Sequence, residues 1–224
     1  MNWFVDSWRP LSLVSKALLV GLCVVLLVGA IGMNLSFARS FFEPKASLTL
    51  FFASFILIYL HHPKNLRFGL AVAAIFFIGM LSEIVGVKTG RIFGVYTYTG
   101  RLGIELFSVP VVIGFNWFAL TYGSNMLTSG LIQHRWFRVF ASAFVMVLFD
   151  LLIEPFAIRH QYWIWHENGT PPLQNYMAWF VVSILNSAVF NWLVPARPNA
   201  QALVFMLGLL LFLVSDLLCN LLEH

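Results

Sequence analysis

Apolar positions run along this chain in long stretches parted by short polar, glycine- or proline-bearing joints, at about residues 11–33, 46–61, 66–87, 106–128, 136–154, 176–195 and 201–222. Most come near the roughly 20 residues a helix needs to cross a hydrocarbon core, so the pattern predicts about seven transmembrane helices. The second stretch, "ASLTLFFASFILIYLH", is short, and six spans remain if it inserts only in part. The first has early positive charge and small residues at its end, as a secretory signal does, but its apolar run is long for that role and reads as a retained helix. The closing "LEH", with Glu223 and His224, resembles the start of an affinity-tag scar.

Composition moves the picture the same way. The 224 residues are 60% hydrophobic, 17% aromatic and 10% charged, with a mean hydropathy of +0.87, far from a soluble globular chain. The fold class expected is all-α: a polytopic membrane helical bundle forming one integral membrane domain over 1–224. The partner this demands is the lipid bilayer. Basic residues divide seven to six between the two sides, so orientation rests on the acids, which gather on the side opposite the N-terminus and lean it weakly to the cytoplasm. The net charge of +4 is that of scattered interfacial anchors and needs no nucleic acid. Cys23 and Cys219 both lie in apolar spans, and no disulfide is implied.

Carboxylates in such a chain need a reason, because an ionised one near mid-membrane costs on the order of 3 kcal/mol. Glu83 closes one apolar stretch, in "SEIVGVKTGRIFGVYTY", and Asp150 and Glu154 close another, in "FVMVLFDLLIEP". Aligned on their acids, the two regions match: Tyr96 and Tyr98 follow Glu83 at offsets of 13 and 15, as Trp163 and Trp165 follow Asp150. This defines an internal two-helix repeat, with units at about 66–128 and 136–195. Each unit is a helix ending in an acid, a punctuated loop carrying an aromatic-x-aromatic motif, and a returning helix. Two spans apart, the units enter the membrane in the same direction, so their loops share a face. A lone interfacial tyrosine or tryptophan is an anchor. Four at paired spacing, with acids attached, point to a pocket. Asp150 and Glu154 lie a turn apart on one helix face, a spacing that favours one of them keeping its proton. Asp216, without a companion motif, reads as a helix-packing polar group.

The residues also exclude chemistries. No lysine lies inside the last span to carry retinal, and no aspartates cluster as diphosphate-dependent prenyl transfer requires. Six histidines, two of them adjacent, do not make the boxes of a di-iron oxygenase, so no metal is expected. His160 and His166 flank the tryptophan pair and read as loop hydrogen-bonders, with His166 able to polarise a water.

Four segments, "EIVGVKTGRIFGVYTY", "LGIELFSVPVVIGFNW", "FDLLIEP" and "YWIWHENGTPPLQNYMAW", resemble the CruF-type carotenoid hydratase family of membrane proteins, over roughly residues 66–195. The resemblance implies addition of water across the terminal carbon 1 to carbon 2 double bond of an acyclic carotenoid, without a cofactor. It also implies a bacterial or archaeal cell membrane and other carotenoid biosynthesis enzymes as companions. The layout is similar, too, to that of small transmembrane lycopene cyclases, which protonate the same bond and close a ring. Combined with the residues, it implies Asp150 as acid and Glu83 as base, or the reverse, with Glu154 tuning the pair. Tyr96, Tyr98, Trp163 and Trp165 then stabilise a carbocation, Asn175 holds the water or a carboxyl, and Trp117 and Trp179 contact substrate. Arg91, Glu105 and His166 are supporting candidates, though surface pairing is the better reading of Arg91. A cyclase and a non-catalytic carotenoid-binding protein are the rival readings.

Overall fold

The computed structural model describes residues 2–195 and 197–222, and Glu223 and His224 lie outside them. Nine α-helices are described: α1 (Asn2–Trp8), α2 (Leu13–Asn34), α3 (Ser36–Phe42), α4 (Ala46–Leu60), α5 (Leu66–Thr89), α6 (Val111–Ser129), α7 (Arg135–Arg159), α8 (Leu173–Leu193) and α9 (Ala200–Leu222). Four short strands lie in the loops: β1 (Tyr96–Tyr98), β2 (Glu105–Leu106), β3 (Val109–Pro110) and β4 (Trp163–Trp165). The protein is a polytopic membrane helical bundle. Six segments are long and apolar enough to cross a bilayer: α2, Ser36–Leu60, α5, α7, α8 and α9. The short second stretch belongs to the second of these, because α3 and a turn at Glu43–Lys45 lead straight into α4.

The seventh long helix, α6, is the axis against which α4, α5, α7, α8 and α9 pack, buried along almost its whole length. Its lower hydropathy follows from its place. Lipid-facing helices must be apolar outside, whereas one wrapped by helices can carry the hydrogen bonds that tie them. Thus Asn125 Nδ2 donates to Ser187 Oγ on α8 at 3.0 Å, and Thr128 Oγ1 lies 2.7 Å from Ser142 Oγ on α7. Large apolar side chains such as Phe77, Phe144 and Leu211 point outward instead.

Boundaries differ from the expected ones in two informative places. Segment 106–128 begins its helix only at Val111, because β2 and β3 form a small antiparallel hairpin first. The acids do not end their helices either. α5 continues to Thr89, where Gly90 takes the left-handed conformation that closes it, and α7 runs through Pro155 to Arg159. A proline inside a membrane helix is tolerated where neighbouring groups satisfy the freed backbone.

Candidate active site

The two aromatic motifs pair with each other. β1 and β4 form an antiparallel ribbon in which Tyr96 faces Trp165, Thr97 faces Ile164 and Tyr98 faces Trp163. Because side chains alternate along a strand, the four aromatics share one face, while Thr97 and Ile164 stand exposed on the other. The two aromatic-x-aromatic motifs are therefore related by a local two-fold arrangement. Trp117 and Trp179, each the seventh residue of its helix, continue it below, their rings stacked at 4.0 Å.

The polar ends of these rings are directed at carboxylates. Glu83, 3% exposed, accepts at Oε2 from the Tyr96 hydroxyl and, at 2.9 Å, from that of Tyr98. Its Oε1 accepts from Trp117 Nε1 at 3.1 Å. Trp117 comes so near α5 because residue 79 is glycine: a Cβ there would lie 2.6 Å from the indole. Glu154 mirrors the pattern, with Oε2 accepting from Trp163 Nε1 at 3.0 Å and Trp165 Nε1 at 2.9 Å. The Asn175 amide, entering from the start of α8, donates to Glu154 Oε1 at 3.2 Å and to Asp150 Oδ2 at 2.9 Å. Asp150 is fully buried, and its Oδ1 has no hydrogen-bond partner among the described residues. Burial first, and then the neighbouring Glu83 carboxylate, hold the Tyr96 and Tyr98 phenols well above their ordinary range. Both stay protonated, and both stay donors.

The three carboxyl groups, the four ribbon aromatics, Asn175 and Trp179 line one small cavity of about 30 Å³, enough to admit water. Trp117 reaches Glu83 from behind. The ribbon tryptophans bond Glu154 rather than Asp150, although the sequence offset matched Asp150 to Glu83. The reason is a shorter connection: three residues part α7 from β4, whereas six part α5 from β1, so the matching offset falls on the acid one turn deeper. Arg91 is exposed and outside the cavity lining; its carbonyl accepts from Gln174 at 2.6 Å and its backbone N–H donates to Thr89 Oγ1 at 3.2 Å. Glu105 is exposed on β2, and His166 is exposed and bonds Thr97 Oγ1 at 3.0 Å on the ribbon's outer face. Neither lines the cavity. Among the described residues no cluster of histidine, cysteine or acid suits a metal ion.

Residues 45–222 match the family described as carotenoid biosynthesis protein. The chain belongs to the carotenoid biosynthesis protein family. A curated relative of this family member, the bisanhydrobacterioruberin hydratase of Haloarcula japonica, is 29% identical over 133 residues, covering 56% of this chain and 45% of the relative. The matched part is thus less than half of that protein's length. No solved structure matches.

Asn116 escaped the sequence reading. It lines the cavity beside Trp117, and no described residue hydrogen-bonds its side chain. An asparagine beside the tryptophan of "GFNW" was the available signal. Also unforeseen was a clasp near the end of α7. There His160 Nδ1 lies 3.0 Å from Glu43 Oε1 and Nε2 lies 2.9 Å from Asp216 Oδ1, while Arg159 donates to the same Asp216 oxygen at 3.1 Å.

Proposed function

We propose that this carotenoid biosynthesis family protein is a hydratase that adds water across the terminal carbon 1 to carbon 2 double bond of an acyclic carotenoid. The observation that carries the reading is the unequal treatment of three carboxyls around one small cavity. Glu83 and Glu154 each accept from three donors, a set that suits carboxylates. Asp150 receives a single donor and keeps one oxygen unpaired, which suits a carboxyl that carries its proton on that oxygen.

Asp150 gives this proton to carbon 2 as the double bond's electron pair forms the new C–H bond. The resulting tertiary cation at carbon 1 sits beside three carboxylates, the newly ionised Asp150 among them, and the ribbon aromatics, whose cation–π contacts are worth about 0.5–2 kcal/mol each. A water molecule attacks carbon 1 through oxygen and passes a proton to Glu83, the general base, a role worth roughly a hundredfold to ten-thousandfold. Return of that proton to Asp150 closes the cycle, so one water is consumed and no electron changes hands. A polar cavity that admits water beside the acids supports hydration over ring closure.

The test is isotopic. With lycopene in heavy-oxygen water the new hydroxyl carries the label, and in deuterated water carbon 2 gains a single deuterium, both read by mass spectrometry of the pigment. A ring-bearing product that gains no oxygen means a cyclase, and bound but unaltered pigment means a carrier. Hydroxyl oxygen drawn from oxygen gas overturns all three.

A further inference from the structure

Beside the acid cavity runs an apolar cleft of about 330 Å³. One wall is α2, through Val24, Val28 and Gly29; Ala46 and Thr49 of α4 and Phe212 of α9 form others. Ile113, Asn116, Ile153 and Trp163 line both the cleft and the acid cavity, and so form a neck between them. The cleft also has a direction. Val24, Val25 and Val28 are about half exposed on the outside of the bundle, whereas Leu26, Ala157 and Leu213 at the back are buried. It therefore opens sideways, where the bilayer's acyl chains lie.

The polar groups along it are nearly all spoken for. Lys45 Nζ turns to the Phe41 carbonyl at 2.5 Å and to that residue's ring, Thr49 Oγ1 bonds the Lys45 carbonyl, and the Tyr162 hydroxyl bonds that of Glu43. Trp163 Nε1 is held by Glu154. Among the described lining residues the exception is Asn116, at the neck. The lining from Val24 to Met33 follows about 14 Å of helix, close to half of a hydrocarbon core of about 30 Å. The volume lies at the lower end of the roughly 300–1,000 Å³ typical of small-molecule sites.

We propose that this cleft binds the linear polyene chain of the substrate, admitted sideways from the bilayer between α2 and α4, with its terminal double bond at the neck and the Asn116 amide orienting the attacking water. The chemistry assigned to the neck rests on the hydratase reading; the binding of the chain does not. A long molecule bound in this way keeps its far half in lipid and presents one end at a time. A width set by a linear chain also selects an uncyclised end over a ringed one.

The experiment separates the two readings by measuring binding and turnover apart. Purified protein is exposed to lycopene in phospholipid vesicles, recovered in detergent, and analysed for bound pigment by its visible absorption and for product by mass spectrometry. Gly29→Phe and Ala46→Phe each place a ring in the cleft from a different helix, so a folding failure of one leaves the other decisive. Both should cut retained lycopene, and product with it, by at least about tenfold. Val20→Phe, on a lipid-facing position of α2 outside the cleft, should behave as the wild type. Pigment retained by both plugged variants, pigment lost equally in Val20→Phe, or a wild-type cleft that takes up phospholipid and no lycopene overturns the proposal. Lycopene held by the wild type and released by the plugs, with no hydroxylated product, leaves the cleft standing and removes the hydratase.

Discussion

At the scale of single residues, the site turns on how many donors each carboxyl receives. Asp150→Asn keeps the shape and the contact with Asn175 but has no acidic proton to deliver. Turnover should fall at least about a hundredfold, with unchanged expression and melting; a near wild-type rate would move the acid to Glu83 or Glu154. Asn175→Leu acts differently, because it strips donors from two buried carboxyls at once. Leaving buried polar groups unsatisfied costs about 1–3 kcal/mol each, so thermal unfolding in detergent should come earlier as well as turnover slower. An Asn175→Leu protein that melts like the wild type would show that those two bonds do not matter. The acids and aromatics were legible in the sequence because a carboxylate in a span and an equal offset are both improbable by chance. Asn116 was not, since an asparagine in a helix is ordinary until its neighbours are known.

At the scale of elements, the matching aromatic-x-aromatic motifs were visible and their pairing was not. Spacing shows that two aromatic motifs are equivalent, but strand partners are fixed by where the preceding helices stop, and Pro155 misleads as a stop signal. Trp117 could be singled out, yet its bond to Glu83, 34 positions away, depends on how close α6 approaches α5. That approach is set by Gly79, and it carries a prediction. Gly79→Ala puts a methyl where the indole lies, so the helices must part or Trp117 must turn. Overpacking of this kind costs about 1–3 kcal/mol, and loss of one Glu83 donor should slow turnover in the same protein. If the alanine variant shows neither a lower melting point nor a slower reaction, the close approach is not what positions Trp117.

At the scale of the whole molecule, a membrane bundle has little hydrophobic drive to hold its helices together, since lipid is as apolar as they are. The polar clasp answers this around the cleft. Asp216 on α9 takes Arg159 and His160, His160 reaches Glu43 in the turn before α4, and Arg101 bonds the same glutamate at 3.2 Å, so that four distant parts of the chain meet. Hydropathy alone marks Asp216 as an acid that needs a partner, without saying which. The side chains of Asp216 and Arg159 are only 4% and 10% exposed, and removing the Asp216 carboxylate takes a charged acceptor from both Arg159 and His160, at about 1–3 kcal/mol each. Asp216→Leu should therefore unfold well below the wild type in detergent. Arg9→Leu, an exposed basic residue near the N-terminus, should change the melting point little. Equal melting of the Asp216 variant and the wild type would mean that packing alone holds α9 against α7, and that the clasp adds nothing to the walls of the cleft.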